Sequence, residues 1–152
     1  MSASAHAEGP MELISLEVAG HAFCIDSRSV REIRGWTAAT PLPQAPDYVA
    51  GVINLRGAVM PVLDLRARLG FGPTEVTSRH VIVVVQHEEH LAGLLVDMVQ
   101  ETLMLNADQL QAPPQYEGSG ETFVDALIPL DGCILGRLSV ASLMPPESAI
   151  AA

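Results

Sequence analysis

Residues Gly51 to Gly70 read GVINLRGAVMPVLDLRARLG, and the rest of the chain is organised around them. Val52, Ile53 and Leu55 form a first apolar run, and Arg56-Gly57 is a two-residue turn signal. Val59 to Leu63 returns as a second strand. Pro61 has no N–H to give a ladder, so it predicts an edge strand or a bulge. Asp64 is placed to cap a short helix over Leu65–Leu69 with its carboxylate, and Gly70 can end that helix in a left-handed conformation.

Upstream, Glu12 to Val18 alternates, with Ile14, Leu16 and Val18 on one face and Ser15 and Glu17 on the other, which predicts a half-buried strand. Ala19-Gly20 turns the chain into His21–Ile25. Asp26 or Ser27 then caps one helical turn leading to Val30 and Ile33. The segment Pro41 to Pro46 holds too much proline for helix, and Asp47 caps a short turn ahead of the opening stretch.

Downstream, Phe71 to Arg79 is a polar connection between two halves. HVIVVVQH at 80–87 is almost continuously apolar, which predicts burial on both faces. Glu88, Glu89 and His90 make a turn, LAGLLVDMV returns, and Leu103–Leu105 is a further short strand. Asn106 or Asp108 caps a turn near Leu110, and PPQYEGSGE at 113–121 reads as a loop. Phe123–Leu130 and Cys133–Leu138 are joined through Asp131-Gly132, the strongest hairpin signal in the chain. Ser139 caps a last short helix, which Pro145-Pro146 stops after Met144. Hairpin, polar cap and short helix thus occur twice, at 56–69 and 131–144. Many short strands divided by Gly, Pro and Asp turns predict two small barrels.

At 152 residues the chain makes one domain, or two subdomains on a common core. A chain of this length buries roughly 70% of its unfolded surface and needs no metal or disulfide to fold. With 8 basic and 18 acidic side chains and a net charge of −10, nucleic acid and anionic membrane are poor partners. Cys24 and Cys133 read as reduced core thiols. The opening MSASAHAEGP lacks the basic start and apolar run of a secretory signal, and no apolar run approaches the ~18–20 residues that cross a bilayer. The expectation is a soluble, cytoplasmic protein.

Chemistry is hard to find. His80, His87 and His90, with Glu88 and Glu89 between, have ligand-like spacing, but zinc needs three or four groups converging on one point. A solvated strand turn is the simpler reading, so no metal or other cofactor is expected. Ser15, Ser139 and Ser142 lack a motif presenting a nucleophile. There is no lysine for a phosphate loop. Asp64 and Asp97 would make a catalytic carboxylate pair only if Asp64 were not a cap. A metal-dependent enzyme would need the histidine cluster, and a small-molecule carrier would need a roomy barrel. The abundance of Leu, Ile and Val predicts filled barrels instead.

On spacing alone Arg56 is an ordinary solvated turn arginine. However, GVINLRG followed by PVLDLR, with Glu32-Ile33-Arg34-Gly35 upstream, resembles the signature of the CheW family, bacterial adaptors that join chemoreceptors to a histidine kinase. The resemblance covers about residues 11–144, leaving tails at 1–10 and 145–152. It implies an all-β fold with a few short helices, two five-stranded barrels on a shared hydrophobic core. About 26–78 would include the signature hairpin of the first barrel, and about 80–140 would mainly form the second. It implies a non-enzymatic adaptor in the cytoplasm, at arrays on the inner face of the membrane. Its partners would be the chemoreceptor cytoplasmic tip and the regulatory domain of a CheA-type kinase. An adaptor of a pilus or surface-sensing pathway would look almost the same.

The family uses the Arg of its NLRG motif, here Arg56, in receptor recognition. Val30, Glu32, Gly51, Asn54 and Thr102 map onto family positions linked to receptor or kinase binding, and Ile33 lies among them. Val30 and Ile33 fit the core of a helical turn equally well, and Gly51, Gly57 and Gly93 fit a purely conformational role. The resemblance implies a receptor groove between the halves near Val30, Glu32, Asn54 and Arg56. Kinase contact is expected on barrel edges, including Asp131, Gly132 and Arg137. Asp97 matches a family Asp. One departure is Cys133-Ile-Leu-Gly136-Arg137-Leu138-Ser139, where Gly136 and Arg137 weaken the expected last strand.

Overall fold

A computed structural model describes residues 10–114 and 123–145. Among them are β1 (Met11–Val18), β2 (His21–Asp26), β3 (Val30–Gly35), β4 (Val49–Leu55) and β5 (Ala58–Asp64), followed by helix α1 (Leu65–Arg68). Then come β6 (Val81–His87), β7 (His90–Val96), β8 (Met98–Leu105), β9 (Val124–Leu130) and β10 (Cys133–Leu138), followed by α2 (Val140–Leu143). Most of the first tail and most of the last, with Pro146, lie outside the described residues, as does most of the 113–121 loop.

Local chemistry sets the turns and caps. Arg56 and Gly57 sit at φ +54° and +90°, the paired left-handed conformation that matches a two-residue hairpin to strand twist. The Asp64 carboxylate accepts from Ala67 N at 3.4 Å and Thr74 N at 2.8 Å, so one buried side chain caps α1 and pins the connection beyond it. Ser139 Oγ accepts from Ser142 N at 3.2 Å to start α2.

The strands form two five-stranded sheets, ordered β3-β6-β7-β5-β4 and β8-β1-β2-β10-β9. In both, an edge strand pairs antiparallel with one hairpin, which pairs parallel with a second hairpin. Each closes into a barrel through the residues after its edge strand: Thr40 bridges to Val52 in the first, Gln111 to Leu127 in the second. Ile53, Leu55, Met60, Val62, Ile82, Val84 and Leu95 fill the first barrel, called here the signature barrel. Leu13, Cys24, Leu105, Ile128 and Leu135 fill the second. A shared core runs between them, drawing Leu16, Val18 and Ile25 from one sheet and Leu63, Val83, Val85 and Leu94 from the other. β6 serves both layers, Ile82 and Val84 inward and Val83 and Val85 outward, which is why its sequence shows no alternation.

Several expectations change. Division of the chain near residue 79 does not divide the barrels: hairpin β6–β7 completes the signature barrel, and the opening hairpin β1–β2 completes the second. The sheets exchange hairpins because β2 runs into β3 through the short turn Ser27–Ser29, and β7 into β8 through Asp97. Val30 and Ile33 belong to a strand, since the helical turn capped by Asp26 ends at Ser29. β1 is buried on both faces. Leu13 enters the second barrel, and Ser15 Oγ accepts from Glu101 N at 3.1 Å where the β1–β8 register slips. Pro61 lies in an inner strand, not an edge; β5 meets β7 only from Val62 onward, so its ring sits where no ladder bond is needed. The strand expected at Leu103–Leu105 begins at Met98. Cys24 is buried, but Cys133 is exposed at the hairpin end, not in the core.

Candidate functional site

Of the residues singled out by resemblance, three meet at one end of the signature barrel. Glu32 on β3 accepts from Arg56 Nη2 at 2.7 Å, and its other oxygen lies 3.5 Å from Arg34 Nη1. β3 and β4 are opposite edges of the sheet, so this ion pair spans the barrel seam. One carboxylate serves two guanidinium groups, and Arg34 Nε is buried without a hydrogen-bond partner. The Arg56 side chain is 73% exposed, which leaves its remaining N–H donors facing solvent. Asn54 Oδ1 accepts from Gly57 N at 2.7 Å, so Asn54 rigidifies the turn that carries Arg56.

The other candidates lie elsewhere. Gly51 is buried, at φ +150°, and a Cβ there would stand 2.4 Å from Thr40 O. Its need for glycine is conformational. Val30 packs against the shared core. Ile33 alternates away from Glu32 and is 45% exposed. Thr102 is exposed on β8, in the other barrel. At the far hairpin, Asp131 and Gly132 form the turn, Gly132 at φ +82°, beside Ile134 at 64% exposure.

Sequence reading missed Val59. It pairs with Asn54 across the hairpin and is 68% exposed. The Arg56-Gly57 turn fixes that register, so the shared face was there to be read. Val59 lines a cleft of about 310 Å³ with Arg34, Thr40, Val52 and Asn54. It also lines a groove of about 510 Å³ with Ala58, Pro61 and Leu91 on one side and, on the other, Ala141 of α2 and Met144 just past its end. The smaller cleft belongs to the signature barrel alone; the larger one opens between the barrels.

Arg137, expected to disturb β10, is paired: its Nε donates to Asp125 Oδ1 at 2.8 Å. Gly136 has a packing reason, since a Cβ would meet the Val124 methyls at 3.2 Å. The histidines do not all converge: His87 faces His90 across the β6–β7 turn, but His80 lies at the other end of β6. His80 Nε2 meets Asp97 Oδ1 at 3.2 Å before β6, and His87 ends that strand, roughly 20 Å away by strand rise. Among the described residues no three His, Cys, Asp or Glu side chains gather as a metal site would require. Asp97 instead joins the barrels, accepting from Ala19 N at 2.9 Å while its own N–H donates to Glu17 O at 3.0 Å. No described helix is long and apolar enough to cross a membrane.

Two barrels with filled interiors, packed on a shared apolar core, make a twin-barrel all-β protein. The CheW-like domain model matches residues 12–147, and the chain belongs to that family. It is 43% identical over 145 residues to the chemotaxis protein CheW of Rhizobium meliloti (strain 1021), covering 95% of this chain and 94% of that one. It is 40% identical over 146 residues to a probable chemotaxis protein CheW of Rhizobium etli, covering 95% and 94%. The crystal structure of the scaffolding protein TtCheW from Thermoanaerobacter tengcongensis superposes with a TM-score of 0.82 at 26% identity, covering 90% of this chain and 94% of that one.

Proposed function

We propose that this chain is a non-enzymatic adaptor of a bacterial chemosensory array, joining a chemoreceptor's cytoplasmic tip to the regulatory domain of a CheA-type kinase on the inner face of the membrane. The carrying observation is the exposed Arg56 guanidinium, oriented by Glu32 and by the Asn54-capped turn, one hairpin position from the exposed Val59. A receptor helix laid there meets an apolar groove for contact area and a rigid fork of donors for register. The kinase contact belongs on other surfaces, the far hairpin at Asp131, Gly132 and Ile134 among them, with Arg137 at the other end of β10. Signal then passes as a change in assembly geometry.

Arg56→Glu tests the receptor half of this reading. Loss of the contact costs about 2 kcal/mol, more than tenfold in affinity. The Glu32 pair is a surface pair worth about 0–1 kcal/mol, so the melting midpoint stays near wild type, and Arg56→Gln separates charge reversal from loss. Titration with receptor-tip and kinase fragments should show receptor binding lost and kinase binding kept. Wild-type receptor affinity in both variants would remove Arg56 from the interface.

A further inference from the structure

At the inter-barrel joint the Arg68 cation touches both halves. Arg68 on α1 donates from Nε to Leu143 O at 3.2 Å and from Nη2 to Ser142 O at 3.2 Å, so it occupies carbonyls at the end of α2. Its guanidinium carbon lies 4.0 Å from the centre of the Tyr48 ring and 4.8 Å from that of Phe123, within cation–π range of both. These rings are equivalents in the two barrels. Tyr48 O accepts from the α1 cap residue, Asp64 N, at 2.7 Å, and Phe123 O accepts from the α2 cap residue, Ser139 N, at 2.8 Å. Arg68 therefore lies between matching rings, with α1 and Tyr48 on the signature-barrel side and Phe123 and α2 on the other.

The remaining inter-barrel contact is mostly the shared apolar core. Apolar burial holds surfaces together but has no preferred direction. Orientation comes from directional contacts, and among the described residues these include hydrogen bonds at the Asp97 crossover and at Arg68 and the stacked rings of His21 and Phe71. The chain itself crosses between the barrels twice, at Asp97 and through Ser27–Ser29, and two crossings leave rotation about the line that joins them, which a further tie restrains. We propose that Arg68 is a positioning residue that sets the angle between the two barrels, and thereby the angle at which the array's two partners are held. The second clause rests on the adaptor reading above; the first does not.

The experiment uses the full chain with two nitroxide labels. Cys133 is exposed, whereas burial pushes the Cys24 thiol up to about 12, so Cys24 stays unreactive near neutral pH. Glu89→Cys on the β6–β7 turn supplies the second label, in the other barrel. Inter-label distances are compared for Arg68, Arg68→Lys and Arg68→Leu well below each melting midpoint. Lysine keeps a cation near the rings but lacks the planar fork that serves two carbonyls at once. A narrow wild-type distribution that broadens or shifts in both variants supports the proposal. Superimposable distributions overturn it. Arg68→Lys carries the test if Arg68→Leu does not fold. On unlabelled protein, assembly of receptor fragment, adaptor and kinase fragment together should weaken about tenfold in the variants while each pairwise affinity is kept. If the wild type binds neither fragment, the adaptor reading fails while the distance result still decides the role of Arg68.

Discussion

At the seam of the signature barrel, Thr40 and Val52 exchange two backbone hydrogen bonds of 2.9 Å. At the seam of the second, Gln111 and Leu127 exchange bonds of 2.8 and 2.7 Å. The residue before the receiving strand position differs: Gly51 in the first, Ala126 in the second. Gly51 takes φ +150° with Thr40 pressed against its missing side chain, whereas Ala126 keeps its methyl and is still buried, at 4% exposure. The two seams have matching hydrogen bonds but different backbone approach. A glycine in the signature is thus a demand of one barrel, not of the topology, and the tighter seam is the one that carries Glu32 and Arg56.

That difference can be broken directly. Gly51→Ala should destabilise by about 3 kcal/mol or more, because the new Cβ meets backbone that has no rotamer to yield. Its mirror, Ala126→Gly, should cost only about 1 kcal/mol from added chain entropy and a lost methyl. Urea midpoints of the two variants measure both, and equal losses would show that the seams are equivalent after all.

The helix caps sharpen the comparison at smaller scale. Asp64 is buried and accepts from Ala67 and from both the N–H and the hydroxyl of Thr74. Asp64→Ala should therefore cost about 2 kcal/mol, leaving three half-buried donors without their acceptor. Ser139→Ala, which removes a single cap bond, should cost about 1 kcal/mol. Thermal unfolding of the two proteins separates these values.

The smallest effect concerns the two crossovers. At the β2–β3 crossover, Asp26 is held below its usual 3.8 chiefly by the hydrogen bond from the Arg28 side chain, with the Arg28 backbone N–H and charge adding to it. A depressed carboxyl contributes stability above its unfolded pKa and loses it as pH falls through the lower folded value. Wild type should thus lose this contribution below about pH 4, and Arg28→Ala should flatten that part of the stability profile. Because Arg28 is 84% exposed, the change is small. Melting midpoints between about pH 6 and pH 3 in low salt would reveal it, and identical profiles would show that the Arg28 contact adds nothing to stability.

Hairpins, caps and the both-sided burial of β6 were legible because each depends on neighbours in sequence: Asp131-Gly132, Asp64, Ser139, a run of valines. What was not legible depends on residues distant in sequence. Ser15 looks solvent-facing until β8 arrives with Glu101. Pro61 looks like an edge until the late start of β7 pairing is known. Hairpin exchange leaves no local mark, since the turn after Asp26 and the bend at Asp97 resemble any other connection. At the site, resemblance pointed to Glu32, Asn54 and Arg56, and the structure places them together. Arg34 and Val59 gained meaning only from the seam and the hairpin register. Gly51 was read both ways, and its contact with Thr40 favours the conformational one.

The exchanged hairpins also bear on how the chain is made. β2 finds its parallel neighbour only in β10, where Phe23 faces Gly136. At synthesis rates of about 5–20 residues per second, the β2 edge stays open for on the order of 10 s. The signature barrel has all its strands once β7 leaves the ribosome, so it can close first, while the opening hairpin waits as an unpaired template that any passing strand could join. A nascent chain stalled before β10 should therefore carry one finished barrel and one sticky edge, the form on which a ribosome-associated chaperone would act.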